Sequence, residues 1–375
     1  MTAECGEALS FFFPREEGIS REPPGGGIIN DTWRITLQSG RRYILQRLNP
    51  AVFPDPVAIQ ENLRKVTEHI RTRLPEVSAQ SCRNFTTFRL MTHKAGATSY
   101  QDSKGAYWRL LTHIDQSRAL PAISTVGQAE EIGATLGLFH QLLSTLPPES
   151  LTDPLPGFHD TPRYLACYDQ VLSGPAKPAN PHAEDCRSFI EQHREDAFLL
   201  ENARQQGRIR RQVIHADPKV ANFLFSPDSR KVISLIDLDT VRPGLLLHDI
   251  GDCLRSCCNP LGEEVKNPED IRFQANFFAA AIMGYLTTAS DLLSPGDREL
   301  LVDSVRLISF ELGLRFYSDY LVNNCYFKVD YPEQNLFRAR IQFALARSIA
   351  RQDDMLRDRL YTLENRKHSE LLHRP

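Results

Sequence analysis

Between residues 215 and 222 the chain reads His215-Ala-Asp217-Pro-Lys-Val-Ala-Asn222, a His-x-Asp-x4-Asn spacing. Downstream, the apolar run Val232-Ile-Ser-Leu-Ile ends on Asp237, followed by Leu238 and Asp239. Few groups are needed to move a phosphoryl group: a carboxylate facing the acceptor hydroxyl, and an amide plus a carboxylate holding a divalent cation against the phosphates. Asp217 suits the first task. Asn222 and Asp237 offer the hard oxygens that Mg²⁺ prefers. A hairpin with these two residues at its ends would bring them together, and His215 reads as an orienting core residue. The competing reading is a hairpin whose Asp and Asn bond only turn backbone, as such residues often do.

These residues need elements to position them. Asp31 to Leu37 and Arg42 to Leu48 read as strands joined by a Gln38-Ser39-Gly40-Arg41 turn. Ile59, Leu63, Val66 and Ile70 then recur at helical spacing within residues 57–74, and two β-rich pieces follow at 84–91 and 106–114. From Gly127 the pattern turns helical, with Ile132, Leu136, Phe139 and Leu143 in register. The proline-rich stretch 147–183 reads as loop, and helices are expected over 269–285, 298–320 and 334–365. The expected fold is α+β and two-lobed, like a protein kinase. Residues 1–112 form a small β-rich nucleotide lobe and residues 113–375 a larger helical lobe for catalysis and substrate.

Composition narrows the partners. Lys+Arg number 44 against 47 Asp+Glu, a net charge of −3, which argues against nucleic acid held by bulk charge. Hydrophobic residues at 41% exclude a disordered chain. The apolar run Phe277 to Leu286 is too short for a bilayer. Glu4 and Glu7 stand where a secretory signal carries basic residues, so a soluble, cytoplasmic monomer or homodimer is expected. Eight cysteines in such a chain are expected reduced. Cys253, Cys257 and Cys258 lack zinc-ligand spacing and read as packing.

With these residues in view, the chain resembles the aminoglycoside and choline kinase group, and within it the N-acetylhexosamine 1-kinase family. The marks are Ile29-Asn-Asp-Thr32, Tyr43-Ile-Leu-Gln-Arg-Leu-Asn49, Phe158-His-Asp-Thr-Pro162, Ile236-Asp-Leu-Asp-Thr-Val-Arg-Pro-Gly244, and Arg315-Phe-x-x-Asp-Tyr-Leu321 with Tyr326-Phe327. The resemblance implies a protein-kinase-like fold that uses ATP and Mg²⁺ to phosphorylate the anomeric hydroxyl of a free amino sugar. It implies Asp217 as base, Asn222 and Asp237 on Mg²⁺, Arg315 and Tyr326 as sugar contacts, and His159 and Asp160 facing the cleft. Where that family reads His-Asn-Asp-Thr-Lys, this chain carries Ala216 and Pro218, so a sugar contact from the Asn is absent. An aminoglycoside or amino alcohol acceptor, or a sugar- or nucleotide-binding regulator without catalysis, are the competing functions.

Nucleotide contacts are expected from Asn30 and Thr32 and from the second strand, where kinases place a phosphate-binding lysine. No lysine is there. Gln46 or Arg47 must substitute, and they point to opposite faces. Glu61 or Glu68 is a candidate partner for Arg47. Gly25-Gly-Gly27 is either a phosphate-covering loop or an ordinary turn. Residues 108–114 read as a hinge, with Leu111 and His113 bonding adenine through backbone. Asp239 is expected at the metal, at the substrate or as a turn cap. Asp249 and Asp252 read as helix-start carboxylates that brace the catalytic loop, with N-capping the default.

Overall fold

The computed structural model describes residues 3–14, 19–22, 30–50, 52–81, 83–93, 96–174, 180–265 and 267–372. The Gly25-Gly-Gly27 run lies outside them. In the small lobe, strands β1 (Ser20–Arg21), β2 (Asp31–Thr36), β3 (Arg42–Arg47), β4 (Tyr100–Gln101) and β5 (Tyr107–Thr112) form an antiparallel sheet in the order β1-β2-β3-β5-β4. Alternation along the strands separates two faces. Ile35, Tyr43, Leu45, Trp108 and Leu110 pack under helix α1 (Ala3–Phe12) with Cys5, Ala8 and Leu9. Ile44 and Leu111 face the other way, into the core that continues through the large lobe.

That alternation decides between the two candidates on β3. Gln46 sides with Ile44 and faces inward, whereas Arg47 lies on the α1 side. There Arg47 pairs with Asp31 at 2.5 Å and sits 5.9 Å from the Trp108 ring centroid. Arg47 therefore faces away from the core shared with the large lobe. Glu61 and Glu68 do not pair with it either; both bind Arg64 one helical turn away on α2 (Pro56–Ser81). Ile59, Leu63, Val66 and Ile70 bury as their spacing requires. Residues 84–89 form no strand. The segment meets the sheet at its end, through the bridge of Leu90 to Leu111 and the Arg89 N–H donated to Thr112 Oγ1, while earlier backbone turns elsewhere, as where Thr86 N–H donates to Ile233 C=O.

A short strand β6 (Arg118–Ala119) leads into α3 (Val126–Leu143), capped by Thr125 and Gln128 in a reciprocal box. The stretch expected as loop holds α4 (Thr161–Leu172) and the start of α5 (Pro181–Gln192). Its prolines include Pro162 and Pro181 in first turns, where the missing N–H costs nothing, with Asp160 and Asn180 as N-caps. Then come α6 (Leu199–Gln205), strands β7 (Arg211–Ile214), β8 (Phe223–Phe225), β9 (Val232–Leu235) and β10 (Arg242–Leu245), and α7 (Leu246–Cys257). The remainder is α8 (Ala275–Ala289), α9 (Pro295–Leu321), α10 (Gln334–Ala350) and α11 (Asp353–Leu372). Helices α3 and α8 cross at glycine: a Cβ on Gly133 would lie 1.8 Å from the Ala281 carbonyl oxygen. No helix among the described residues is long and apolar enough to cross a membrane.

Candidate active site

The strand β7 runs out at Ile214 and the chain turns through His215, Ala216 and Asp217. Ala216 adopts a left-handed φ of 69°, a conformation non-glycine residues hold only when their surroundings enforce it. The enforcement is visible group by group. His215 N–H and Ala216 N–H both donate to the Asp249 carboxylate, each at 2.7 Å. His215 C=O accepts from Thr240 Oγ1 at 2.8 Å, and Ala216 C=O accepts from His159 Nε2 at 2.8 Å. Asp217 N–H donates to His215 Nδ1, and Asp217 C=O accepts from Asn222 Nδ2 at 2.7 Å. Val220 N–H donates to Ser256 Oγ. The backbone N–H and C=O groups of His215, Ala216 and Asp217 are thus all paired, as burial requires.

Asp249 is the centre of this bracing, and it does not cap its helix. It lies in the first turn of α7, fully buried, and also accepts from His140 Nε2 at 2.8 Å, whose other nitrogen meets the Tyr285 hydroxyl. Burial alone would raise its carboxyl, but these donors and the nearby His140 and His215 hold it below the usual carboxylate range. Asp252 pairs with buried Arg255 at 2.8 Å, and burial followed by the Asp217 charge pushes it up.

The catalytic candidates converge. Ile236 N–H donates to Asn222 C=O at 2.9 Å, which sets Asn222 beside the turn carrying Asp237. Asp237 itself takes a left-handed φ of 65° and keeps exposed surface. Loss of solvent to the protein packed around it, then the Asp239 and Asp217 charges, push its carboxyl up to about 6, against the pull of Lys219. Lys219 was given no role from sequence. Its ammonium lies 2.5 Å from Asp217 Oδ2 and, although burial opposes charge, Asp217 and Asp237 raise its pKa. Among the described residues, neither Asp217 Oδ1 nor Asn222 Oδ1 accepts a hydrogen bond.

Asp239 is displaced from the role expected of it. It is 3% exposed and forms a two-point ion pair with Arg109 on β5, with Nη1–Oδ1 at 2.6 Å and Nη2–Oδ2 at 2.8 Å. Asn30 Nδ2 donates to it at 2.8 Å. Arg109 also donates to Gln46 Oε1 at 2.7 and 2.9 Å, and Gln46 donates to Thr32 Oγ1. Asn30, Thr32 and Gln46 therefore line one inter-lobe network whose cation comes from β5, not β3. Sequence reading passed over Arg109 because its partner stands 130 positions away. Leu111 is flanked by Ile44 and Leu90, and His113 N–H donates to Arg42 C=O, so neither is an open hinge amide. The His113 ring meets Asp115.

On the opposite side, α9 carries Glu311 and Arg315 one turn apart. The Arg315 guanidinium lies 5.0 Å from the Phe158 ring, 5.1 Å from Tyr164, 5.4 Å from Phe327 and 5.8 Å from Tyr326. It makes no hydrogen bond among the described residues. Asn323 and Asn324, at φ 66° and 59°, reverse the chain after α9. Asp319 then accepts from Tyr326 N–H and Phe327 N–H at 2.8 and 2.9 Å, folding both rings back over Arg315. His159 is buried and bonds Glu311 and Ala216 C=O, so it has no nitrogen left for a sugar hydroxyl. Asp160 caps α4 through Arg163 N–H. Both residues line a cavity of about 320 Å³ that also touches Arg242 and His248.

This arrangement has known counterparts. A microcompartment-associated aminopropanol kinase is similar with a TM-score of 0.64 at 16% identity, over 94% of this chain and 98% of that one. An amicoumacin kinase in complex with AMP-PNP, Ca²⁺ and Ami gives 0.59 at 13%, over 92% and 93%. An aminoglycoside phosphotransferase from Alicyclobacillus acidocaldarius gives 0.55 at 16%, over 97% and 96%. The likeness is one of fold, the two-lobed protein-kinase-like architecture of a small antiparallel sheet lobe on a mostly helical lobe. The sequence itself matches the family described as APH, phosphotransferase enzyme family, over residues 20–283, more than half its length, and to that family this chain belongs.

Proposed function

We propose that the protein is an ATP-dependent small-molecule kinase whose acceptor is the anomeric hydroxyl of a neutral sugar, an N-acetylhexosamine or related hexose. Residues 1–112 would supply the nucleotide lobe and the rest the acceptor lobe. The observation that carries the acceptor class is Arg315. A guanidinium held among four aromatic rings, without a hydrogen bond of its own, offers several donors to sugar or acetamide oxygens and repels an ammonium. An aromatic enclosure for a cationic acceptor would have to be empty of cation; here it is filled by the protein's own.

Asp217 fits the base. Its Oδ1 is unengaged, while Lys219 holds Oδ2, and the paired loop backbone fixes the direction in which the carboxylate points. An anomeric hydroxyl is the most acidic of a sugar's hydroxyls, so the proton need transfer only late. Asn222 Oδ1 and the Asp237 carboxylate form a hard-oxygen donor pair of the kind Mg²⁺ accepts when phosphate oxygens and water complete its shell. Among the described residues no group of three or more His, Cys, Asp or Glu side chains is placed to hold a metal ion. Such an ion would neutralise charge on the transferring phosphates. Lys219, beside Asp217 and in reach of Asp237, would steady the same charge, and Asn30, Thr32, Gln46 and Arg109 would form the roof above the nucleotide phosphates.

ADP release from ATP and Mg²⁺ should be measured across free hexoses, N-acetylhexosamines, amino alcohols and aminoglycosides. Neutral sugars should drive release. Turnover confined to the cationic acceptors would transfer the protein to the amino alcohol or aminoglycoside class.

A further inference from the structure

His159 stands in the loop before α4 with a left-handed φ of 58° and is 8% exposed. Its Nδ1 lies 2.9 Å from Glu311 Oε1, and its Nε2 lies 2.8 Å from the Ala216 carbonyl oxygen. A carboxylate and a carbonyl can only accept, so both ring nitrogens must carry hydrogen and the ring is an imidazolium. Glu311 Oε2 in turn accepts from Thr161 Oγ1 at 2.7 Å. Glu311 from α9 and His248 and Asp252 from α7 act on the ring, while Arg315 from α9 acts on Glu311, and Arg242 from β10 and Asp249 from α7 act on His248. His248 stacks on it at 5.0 Å and stays neutral, pushed down to about 3 by burial and then by the His159 charge. Burial works against charge on His159, but Glu311 and the two hydrogen bonds raise it above the ordinary imidazole value. Glu311, although buried, is drawn down to about 2, His159 being the first of the groups that lower it.

The peptide unit between Ala216 and Asp217 is therefore held at its carbonyl by one buried ion. The Ala216 amide on the other side of the same residue is held by a second buried ion, Asp249. We propose that His159 is a positioning residue for phosphoryl transfer: locked between Glu311 and the Ala216 carbonyl, it keeps Ala216 left-handed and so aims Asp217. Because Glu311 lies one turn from Arg315, the same strut ties the aim of the base to the helix that receives the acceptor. A charge-assisted bond is stronger than a neutral one, which suits it to hold an unfavourable backbone angle. The inference rests on the reading of Asp217 as base.

Two experiments test it. Exchanging the pair for apolar residues of similar size, His159→Leu with Glu311→Leu, removes both charges together, a change that buried ion pairs often tolerate. The expected result is a folded protein with the KM for ATP within about twofold of wild type and kcat lowered at least about thirtyfold. Wild-type kcat in the folded double variant would overturn the proposal. If the double variant does not fold, Glu311→Gln decides. It keeps the shape and removes the counter-charge, so deprotonation of His159 and the alkaline fall of kcat should move at least about one pH unit lower. An alkaline limb that stays in place would overturn the proposal too. Absence of ADP release from wild type with every acceptor would overturn this reading and the kinase reading together.

Discussion

The loop that carries Asp217 and the Arg315 enclosure are linked through His159 and Glu311 and are built on opposite principles. Around Asp217, named backbone donors and acceptors are matched and the charges behind them, Asp249 and His159, are buried and fully engaged. Around Arg315 the contacts are ring faces at 5.0 to 5.8 Å, and the guanidinium donors are left uncommitted. On the proposed reading of Asp217 as base, its carboxylate is fixed before anything binds, because proton transfer tolerates little misplacement. Recognition of a hydroxyl-rich molecule needs donors that are held in place but unspent. Ring faces supply the first without taking the second. Buried ions build the rigid part, and aromatic packing builds the part proposed to receive the acceptor.

Breaking the rigid part at its root should give the largest effect. Asp249→Asn puts an amide against three donors, the amides of His215 and Ala216 and the His140 ring, and leaves at least one unpaired. A loss of about 3 kcal/mol of folding stability is expected, the scale of breaking a buried charged contact. Denaturant unfolding measures it. Since the Asp249 carboxyl is held below its ordinary value, its contribution is complete above the unfolded-state pKa and fades as pH falls through the lower, folded one. The gap between wild type and variant should therefore close in acid. A gap of constant size down to the acid limit of folding would mean that the charge is not what stabilises the loop.

Asp217→Asn sharpens the comparison by sparing the structure and removing the chemistry. The amide is nearly isosteric and cannot accept the hydroxyl proton, so kcat should fall at least about a hundredfold. Thermal stability should change little, because among the described residues the side chain bonds only Lys219 and Asn222. A variant that keeps more than half its turnover would remove Asp217 from the base role.

What was legible in the sequence follows the range of the interaction. The His-x-Asp-x4-Asn spacing and the apolar runs beside it are local, and the loop and hairpin they describe are where they should be. Helices α2 and α3 announce themselves through apolar residues at helical spacing, whereas the single helix expected over 334–365 is two, α10 and α11, parted at residues 351–352. Two helices inside the proline-rich stretch did not, because Pro162 and Pro181 read as breakers unless Asp160 and Asn180 before them are read as caps. Helix α1 gave no amphipathic signal, having the short sheet-facing set Cys5, Ala8 and Leu9. Long-range charge pairing was opaque. Asp239 looked available because Arg109 is on another lobe, and His159 looked like a loop polar group because Glu311 lies mid-helix, 152 positions on. Alternation could have placed Gln46 inward, once Trp108 and Leu45 were assigned to the face under α1.

Arg315→Ala tests the receptive part and should give the smallest of the three effects. Truncation empties the space among Phe158, Tyr164, Tyr326 and Phe327 and removes donors that no described residue uses, so the fold has little to lose beyond ring packing. The KM for the sugar should rise at least tenfold, about 1.4 kcal/mol, with the KM for ATP unchanged. Arg315→Lys should fall between, since an ammonium keeps the charge but loses the planar fork and its face-on fit to the rings. The same pair of variants reads out the acceptor's charge. If the acceptor is neutral, Arg315→Ala weakens it; if it is cationic, removing the guanidinium relieves repulsion and its KM should drop. Initial rates against a neutral and a cationic acceptor, each at saturating ATP, separate the two. A rise in the KM for ATP with no change for either acceptor would place Arg315 on the nucleotide side of the cleft and undo the assignment.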